Sequence, residues 1–306
     1  MPTSRRPPRR RARRGAAFVA LAVVGLLALA GTAVAGVVWW LSRQVDVPVV
    51  ARCEAVADGQ SFRLSPVQAD NAALIALMSV RRTLPARAAT IALATALQES
   101  RLENLDYGDR DSIGLFQQRP SQGWGTVEQI MDPVYSAGLF YDHLVRVPGY
   151  TELPVTQAAQ AVQRSGFPDA YAQHEPRARA FASALTGWSP AALTCTLPQA
   201  GAAGSSDAVL ARIARDLGEL PSSATAAGEG TPATVTLDAA SLAPDDPARA
   251  GWAAAQWAVA VAQPLSLDAV AVGDRTWTRS SGTWTATEPT LPPGTLTLSL
   301  APSPTR

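Results

Sequence analysis

The chain contains no lysine; all 26 of its basic residues are arginine. With alanine abundant beside them, this composition points to a GC-rich genome. Histidine and cysteine are scarce, two of each. His143 and His174 lie far apart, and His174-Glu175 lacks the spacing of a metal-binding helix. Two histidines and two distant cysteines do not build a zinc site, so no metal and no cofactor are expected. The sequence also lacks a Gly-x-Ser-x-Gly nucleophile turn and a glycine-rich phosphate loop. These absences set aside metallo-, serine- and nucleotide-dependent chemistries.

Charge is unevenly placed. Residues 1–14 carry seven arginines and no acid, which leaves 19 arginines against 25 acidic residues in the remainder. A nucleic-acid-binding body would be basic. This one is mildly acidic, and no nucleic-acid partner is expected. From Gly15 to Leu41 every residue is apolar or small except Thr32. At about 1.5 Å per residue that run spans a hydrocarbon core of about 30 Å. The expected plan is a basic cytoplasmic tail (1–14), a transmembrane anchor (15–41) with Trp39 and Trp40 at the outer interface, and an extracytoplasmic body. The alternative is a cleaved signal peptide, since Ala33-Val34-Ala35 resembles a cleavage site. Against it, the apolar run continues through Val37, Val38, Trp39, Trp40 and Leu41.

Residues 42–64 show little periodicity and read as an extended stalk. Ser65 is a helix N-cap, with Pro66 at the first helical position and Gln68 completing a capping box. Leu74, Leu77 and Met78 form the apolar face of that helix. Pro85 opens a second helix that runs through Ile91, Leu93 and Leu97 to Glu99. Further helices are expected from Thr126 (capping box with Gln129), from Asp132-Pro133, over 156–163, and within 169–186. Residues 196–206 read as a linker. Beyond it, 207–306 reads as a small α+β domain. Its expected parts are a helix through Val209, Ile213 and Leu217, a strand at 233–237, and a helix from Trp252 to Ala262. A hairpin turning at Gly273-Asp274 and an edge strand at 295–300 complete it. Trp277 and Trp284 either stack on sugar or pack across strands. Cys53 and Cys195 flank the first domain. Outside the membrane they suggest a disulfide clasp; two unrelated thiols are the alternative.

The stretch 93–124 organises the chain. Its helix brings Glu99 to a C-terminal end, where exposed carbonyls carry partial negative charge. That charge disfavours an ionised carboxylate, as burial also does. A carboxyl held protonated is what a general acid for glycoside cleavage requires.

Glu99-Ser100, then Gly114-Leu115-Phe116-Gln117, then Ala170-Tyr171 resemble the ordered motifs of lysozyme-like lytic transglycosylases and goose-type lysozymes. Those enzymes cut the glycan of bacterial cell walls. Phe116 stands where the family has Met, and Ala172 where it has Asn, which removes a polar side chain near the glycan. The resemblance covers about residues 66–187. It implies a mainly α lysozyme-like domain over 65–195, with peptidoglycan as partner and the membrane engaged through 15–41. It implies Glu99 as catalytic acid and Ser100, Gln117 and Tyr171 as substrate-site residues, with a plain helix-end serine as the alternative for Ser100; Trp124, between two glycines, is a further substrate-site candidate as a sugar platform, or else packs in the core. Tyr171 would bond the Glu99 carboxyl, or else be a core tyrosine; Gln117 would hold an amide of the glycan, or else the loop backbone. Asp106, Asp109 and Asp111 are candidates for a second carboxylate, although aspartate in such a loop also makes turns. The implied activity is single-glutamate cleavage between sugars, forming 1,6-anhydro ends. The alternative from another class is a non-catalytic peptidoglycan-binding or scaffolding protein.

Overall fold

The computed structural model describes residues 10–44 and 49–303. The tail up to residue 9, residues 45–48 of the expected stalk, and the last three residues lie outside them. Among the described residues the secondary structure is mixed α and β, with nine α-helices and two antiparallel sheets. The chain divides into two units, Met1–Pro48 and Val49–Arg306.

The first unit is the helix α1 (Arg10–Gln44). Within it, Leu21–Trp40 has a mean hydropathy of 2.4 over its most apolar window, long and apolar enough to cross a bilayer. Thr32 is the one hydroxyl in this stretch. It donates to the Leu29 carbonyl at 2.9 Å, so its polar group is satisfied within the helix itself.

The second unit begins with a hairpin. Strands β1 (Arg52–Ala57) and β2 (Gln60–Leu64) turn at Asp58-Gly59, where both residues have positive φ. β1 also pairs with β3 (Leu193–Thr196), giving the order β2-β1-β3. Residues from 52 onward are therefore part of the folded body and not a stalk. Cys53 and Cys195 are direct partners in the β1–β3 register, and they form a disulfide across 142 positions. Both are fully buried.

Helices α2 (Pro66–Arg81) and α3 (Ala86–Ser100) form the core of this unit. The α2 start is as the sequence specifies: Ser65 accepts from the Gln68 backbone, and the Gln68 side chain accepts from the Ser65 backbone. Both helices are apolar on nearly every side, the pattern of a helix enclosed by others. Alanines at 69, 72, 73, 76, 88, 89, 92, 94 and 96 are all buried and allow neighbours to approach closely. Around them lie α4 (Val127–Met131), α5 (Pro133–Leu144), α6 (Val155–Gln163) and α7 (Glu175–Leu185).

The C-terminal third adds α8 (Ser206–Leu217), α9 (Pro247–Ala260) and a second sheet. Its strands are β4 (Ser222–Thr225), β5 (Thr234–Asp238), β6 (Leu267–Val272), β7 (Arg275–Thr278), β8 (Trp284–Ala286) and β9 (Thr295–Leu300). Their spatial order is β4-β5-β9-β6-β7-β8. The hairpin at Gly273-Asp274 forms as expected, with Val272 opposite Arg275. Helix α9 packs against α2, α7 and β3 as well as its own sheet. Gln256 on α9 is wholly buried; it accepts from the Leu193 amide and donates to the Ala184 carbonyl, 2.8 and 2.6 Å away. Arg212 on α8 pairs with Asp70 of α2 and with Asp216, which also pairs with Arg215 and accepts from the Trp257 indole. Residues 65–195 and 207–306 are thus one compact unit, and 196–206 connects two parts of a shared core. Trp277 is fully buried, and Trp284 stacks edge-on against Trp252 while donating to the Leu193 carbonyl. Both pack within the fold, Trp277 wholly and Trp284 in part.

Candidate functional site

Glu99 is the penultimate residue of α3 and is half-buried. The chain leaves the helix through two successive left-handed residues, Arg101 (φ 57°) and Leu102 (φ 62°). Such conformations are unfavourable without glycine. Two side chains of α2 hold them: Gln68 donates to the Arg101 carbonyl at 2.9 Å, and Asn71 to the Leu102 carbonyl at 2.8 Å. The N-terminus of one helix thereby anchors the turn that follows Glu99.

The loop after that turn closes on itself. Ile113 and Gln118 exchange two backbone hydrogen bonds around the segment Gly114–Gln117. Gly114 has φ 79°, and a Cβ there would stand 2.9 Å from the Ile130 carbonyl. Gly108 has no room for a Cβ beside the Gln117 side-chain oxygen and the Ser112 carbonyl. Close approach requires glycine at both positions, and at Gly114 the positive φ requires it as well. Phe116 is buried and stacks on Phe140 with centroids 4.6 Å apart.

Tyr171 reaches Glu99 from the segment before α7. Its hydroxyl donates to Glu99 Oε1 at 2.7 Å, bridging 72 positions of sequence. The ring is fully buried. Burial first, and the Glu99 charge second, push the Tyr171 hydroxyl well above the usual phenol range. It therefore acts as a donor and not as a base near neutral pH. With Oε1 occupied by this donor, Oε2 has no hydrogen-bond partner among the described residues. Beside it, Gln98 Oε1 lies 3.0 Å from His174 Nε2 and 3.2 Å from Gln173 Nε2. Burial lowers the His174 pKa, with the Arg177 charge acting in the same direction. Gln98, Gln173 and His174 carry no motif, and only their flanking positions beside Glu99 and Tyr171 mark them.

The other expected site residues are placed differently. Ser100 is 4% exposed, and its hydroxyl lies 2.7 Å from the Leu115 carbonyl and 3.1 Å from that of Ala96. It stitches helix to loop and is not open to a glycan. Gln117 donates to the Tyr107 and Gly114 carbonyls, both at 3.3 Å, so its amide holds the loop. Among the candidate second carboxylates, Asp106 and Asp109 are exposed. Asp111 accepts from the Ser121 amide at 2.8 Å and from Arg119 Nε at 2.7 Å. These bonds, from Ser121 and then Arg119, hold its carboxyl well below the usual carboxylate range. An aspartate so engaged serves the loop.

Trp124 is half-buried, with its ring 4.4 Å from that of His143. The two line a cavity of about 740 Å³ whose wall includes neither Glu99 nor Tyr171. Gln163, in the same wall, donates to the Phe116 carbonyl at 2.8 Å. The cavity thus adjoins the loop that Ser100 ties to the Glu99 helix. No protein-family model matches the chain, and no curated protein matches it.

Proposed function

We propose that this protein cleaves peptidoglycan glycan between its sugars, with Glu99 as the single acid and base. The observation that carries this reading is the Tyr171–Glu99 hydrogen bond. It joins the first and last pieces of the ordered motif set, which nothing in local sequence requires to meet. The closed Gly114–Gln117 loop, tied to Ser100, supports the same reading.

The chemistry runs through one carboxyl. Glu99 Oε2–H protonates the glycosidic oxygen as the bond to the muramic C1 breaks. The resulting carboxylate accepts the proton of that sugar's own C6 hydroxyl, whose oxygen closes on C1. The products are a free sugar hydroxyl and a 1,6-anhydro ring, with no water consumed. Intramolecular attack benefits from proximity within one ring. A hydrolytic route needs a second carboxylate to serve as nucleophile or water-activating base. The engagement of Asp111 and the exposure of Asp106 and Asp109 favour the single-acid route.

The lysozyme-like character of the domain and its extracytoplasmic placement belong to the same proposal. The arginines of residues 1–14, ahead of the apolar run, favour a cytoplasmic N-terminus, with the body at the wall. Digestion of purified peptidoglycan, followed by mass analysis of the soluble products, tests the reaction. Anhydro-ended muropeptides are expected. Products with reducing ends only would reject the transglycosylase route. Binding without any cleavage would support the scaffolding alternative.

A further inference from the structure

Two arginines converge on the cavity beside Trp124. Arg146 follows the end of α5, and Arg164 ends α6. Both line the cavity, and both are exposed. Among the described residues neither guanidinium has an ion-pair or hydrogen-bond partner. Asp142, the acid nearest along α5, is committed to Arg82, just past the end of α2. A basic residue at a helix C-terminus has a local reason to be there, because it complements the dipole. That reason does not explain why two such residues, from different helices, face one cavity. Arg164 also occupies a left-handed cap position, φ 52°, where glycine is favoured. The chain keeps a long cationic side chain at a conformational cost.

The wall also carries apolar and aromatic residues: Trp124, Val147 and Pro148. Burial lowers the His143 pKa, and the charges of Arg146 and Arg164 reinforce it while Asp142 opposes them. Both arginines therefore lie close enough to act on one imidazole. The volume, about 740 Å³, suits a sugar-sized ligand. Guanidinium groups pair with carboxylates through two parallel hydrogen bonds, and an indole face accepts the apolar face of a pyranose.

We propose that this cavity is a subsite for a carboxylate carried on a sugar ring, with Arg146 and Arg164 on the carboxylate and Trp124 against the ring. The ligand's source rests on the glycan-cleaving reading; the acid-on-ring chemistry does not. Gln163 places the subsite against the Gly114–Gln117 loop. An acidic substituent held there would set which sugar of an alternating glycan faces Glu99.

The test uses the full-length protein in detergent micelles, with its two histidine side chains followed by NMR. N-acetylmuramic acid is compared with N-acetylglucosamine, which lacks the lactyl carboxylate, and with free lactate. The acid sugar is expected to shift the His143 ring signals and to saturate at a concentration at least tenfold below that of N-acetylglucosamine. That preference should weaken as salt rises. It should disappear in the Arg146→Gln, Arg164→Gln double variant, whose exposed substitutions leave the fold intact. Equal saturation by the two sugars would overturn the proposal. So would a preference that survives in the double variant, or lactate binding as tightly as the acid sugar. Cleavage is scored separately on the same preparation. Cleavage without sugar preference would sink the subsite alone, and preference without cleavage would uphold the subsite and sink the reaction.

Discussion

Tyr171 holds its proton more firmly than an exposed tyrosine does, so its bond to Glu99 persists across the neutral range. Tyr171→Phe removes that donor and leaves Glu99 Oε1 unpartnered. A 10- to 100-fold fall in kcat, about 1.4–2.7 kcal/mol, is expected with little change in KM. Stability should drop by about 1 kcal/mol. A kcat unchanged in a folded Tyr171→Phe protein would remove Tyr171 from the machinery. The histidines give a second residue-scale prediction. His143 and His174 both have lowered pKa values, with burial as the first cause of each. As pH falls, the unfolded chain therefore takes up protons before the folded one does. The stability these neutral imidazoles contribute is complete above about pH 6.5 and is lost as pH falls toward their folded values. The denaturation midpoint should hold between about pH 7 and 8 and decline below about 6.5. Arg146→Gln should raise the His143 value and shrink that decline. A midpoint that rises on acidification from about pH 7 would contradict the assignment.

At the scale of elements, the end of α3 and the loop after it are built as one piece. Gly114→Ala would set a Cβ 2.9 Å from the Ile130 carbonyl at a positive φ. A loss of about 1–3 kcal/mol in denaturant unfolding is expected, together with lower activity. An alanine variant as stable as the parent would show that the loop has room. The disulfide is the other device. Closing a 142-residue separation is worth about 5 kcal/mol in the chain-entropy model. Cys53→Ser should lower unfolding stability by a few kcal/mol, and a loss under about 0.5 kcal/mol would show that the clasp is dispensable. Much at this scale was legible beforehand. The capping boxes at Ser65 and Thr126, the Asp132-Pro133 start and the Gly273-Asp274 turn all rest on local chemistry, and all form. The β1–β2 hairpin was not legible as part of the body. Its Asp58-Gly59 turn is a hairpin signature. Yet its partner β3 arrives about 140 positions later, and α7, which packs against β1, is likewise distant in sequence. Around Glu99, the motif order pointed to Tyr171. No sequence signal separates a glutamine that meets substrate from Gln117, whose amide holds its own loop.

At the scale of the molecule, the second unit is one body in which α9 is shared between α2, α7 and the six-stranded sheet. Composition pointed to a boundary at 196–206, because glycine, alanine and serine are frequent there. Composition does not reveal that Gln256 and Arg212 bind across it. Truncation after residue 206 should therefore unfold the Glu99 region instead of releasing an active domain. A soluble, cooperative 49–206 fragment would contradict this. For the helix α1, protease added to wall-stripped cells is expected to degrade the body and spare an N-terminal tag. A tag cut while the body survives would reverse the orientation, and a mature form starting near Gly36 would mark a cleaved signal. The central claim is that Glu99 performs the cleavage, and one paired measurement addresses it directly. Purified peptidoglycan is incubated with the full-length protein and with Glu99→Gln, and both pelleted binding and released muropeptides are quantified. The amide keeps the shape of the side chain but cannot donate the proton, so binding should persist while release falls by about 10²- to 10⁴-fold. Release undiminished in Glu99→Gln would show that the chemistry lies elsewhere.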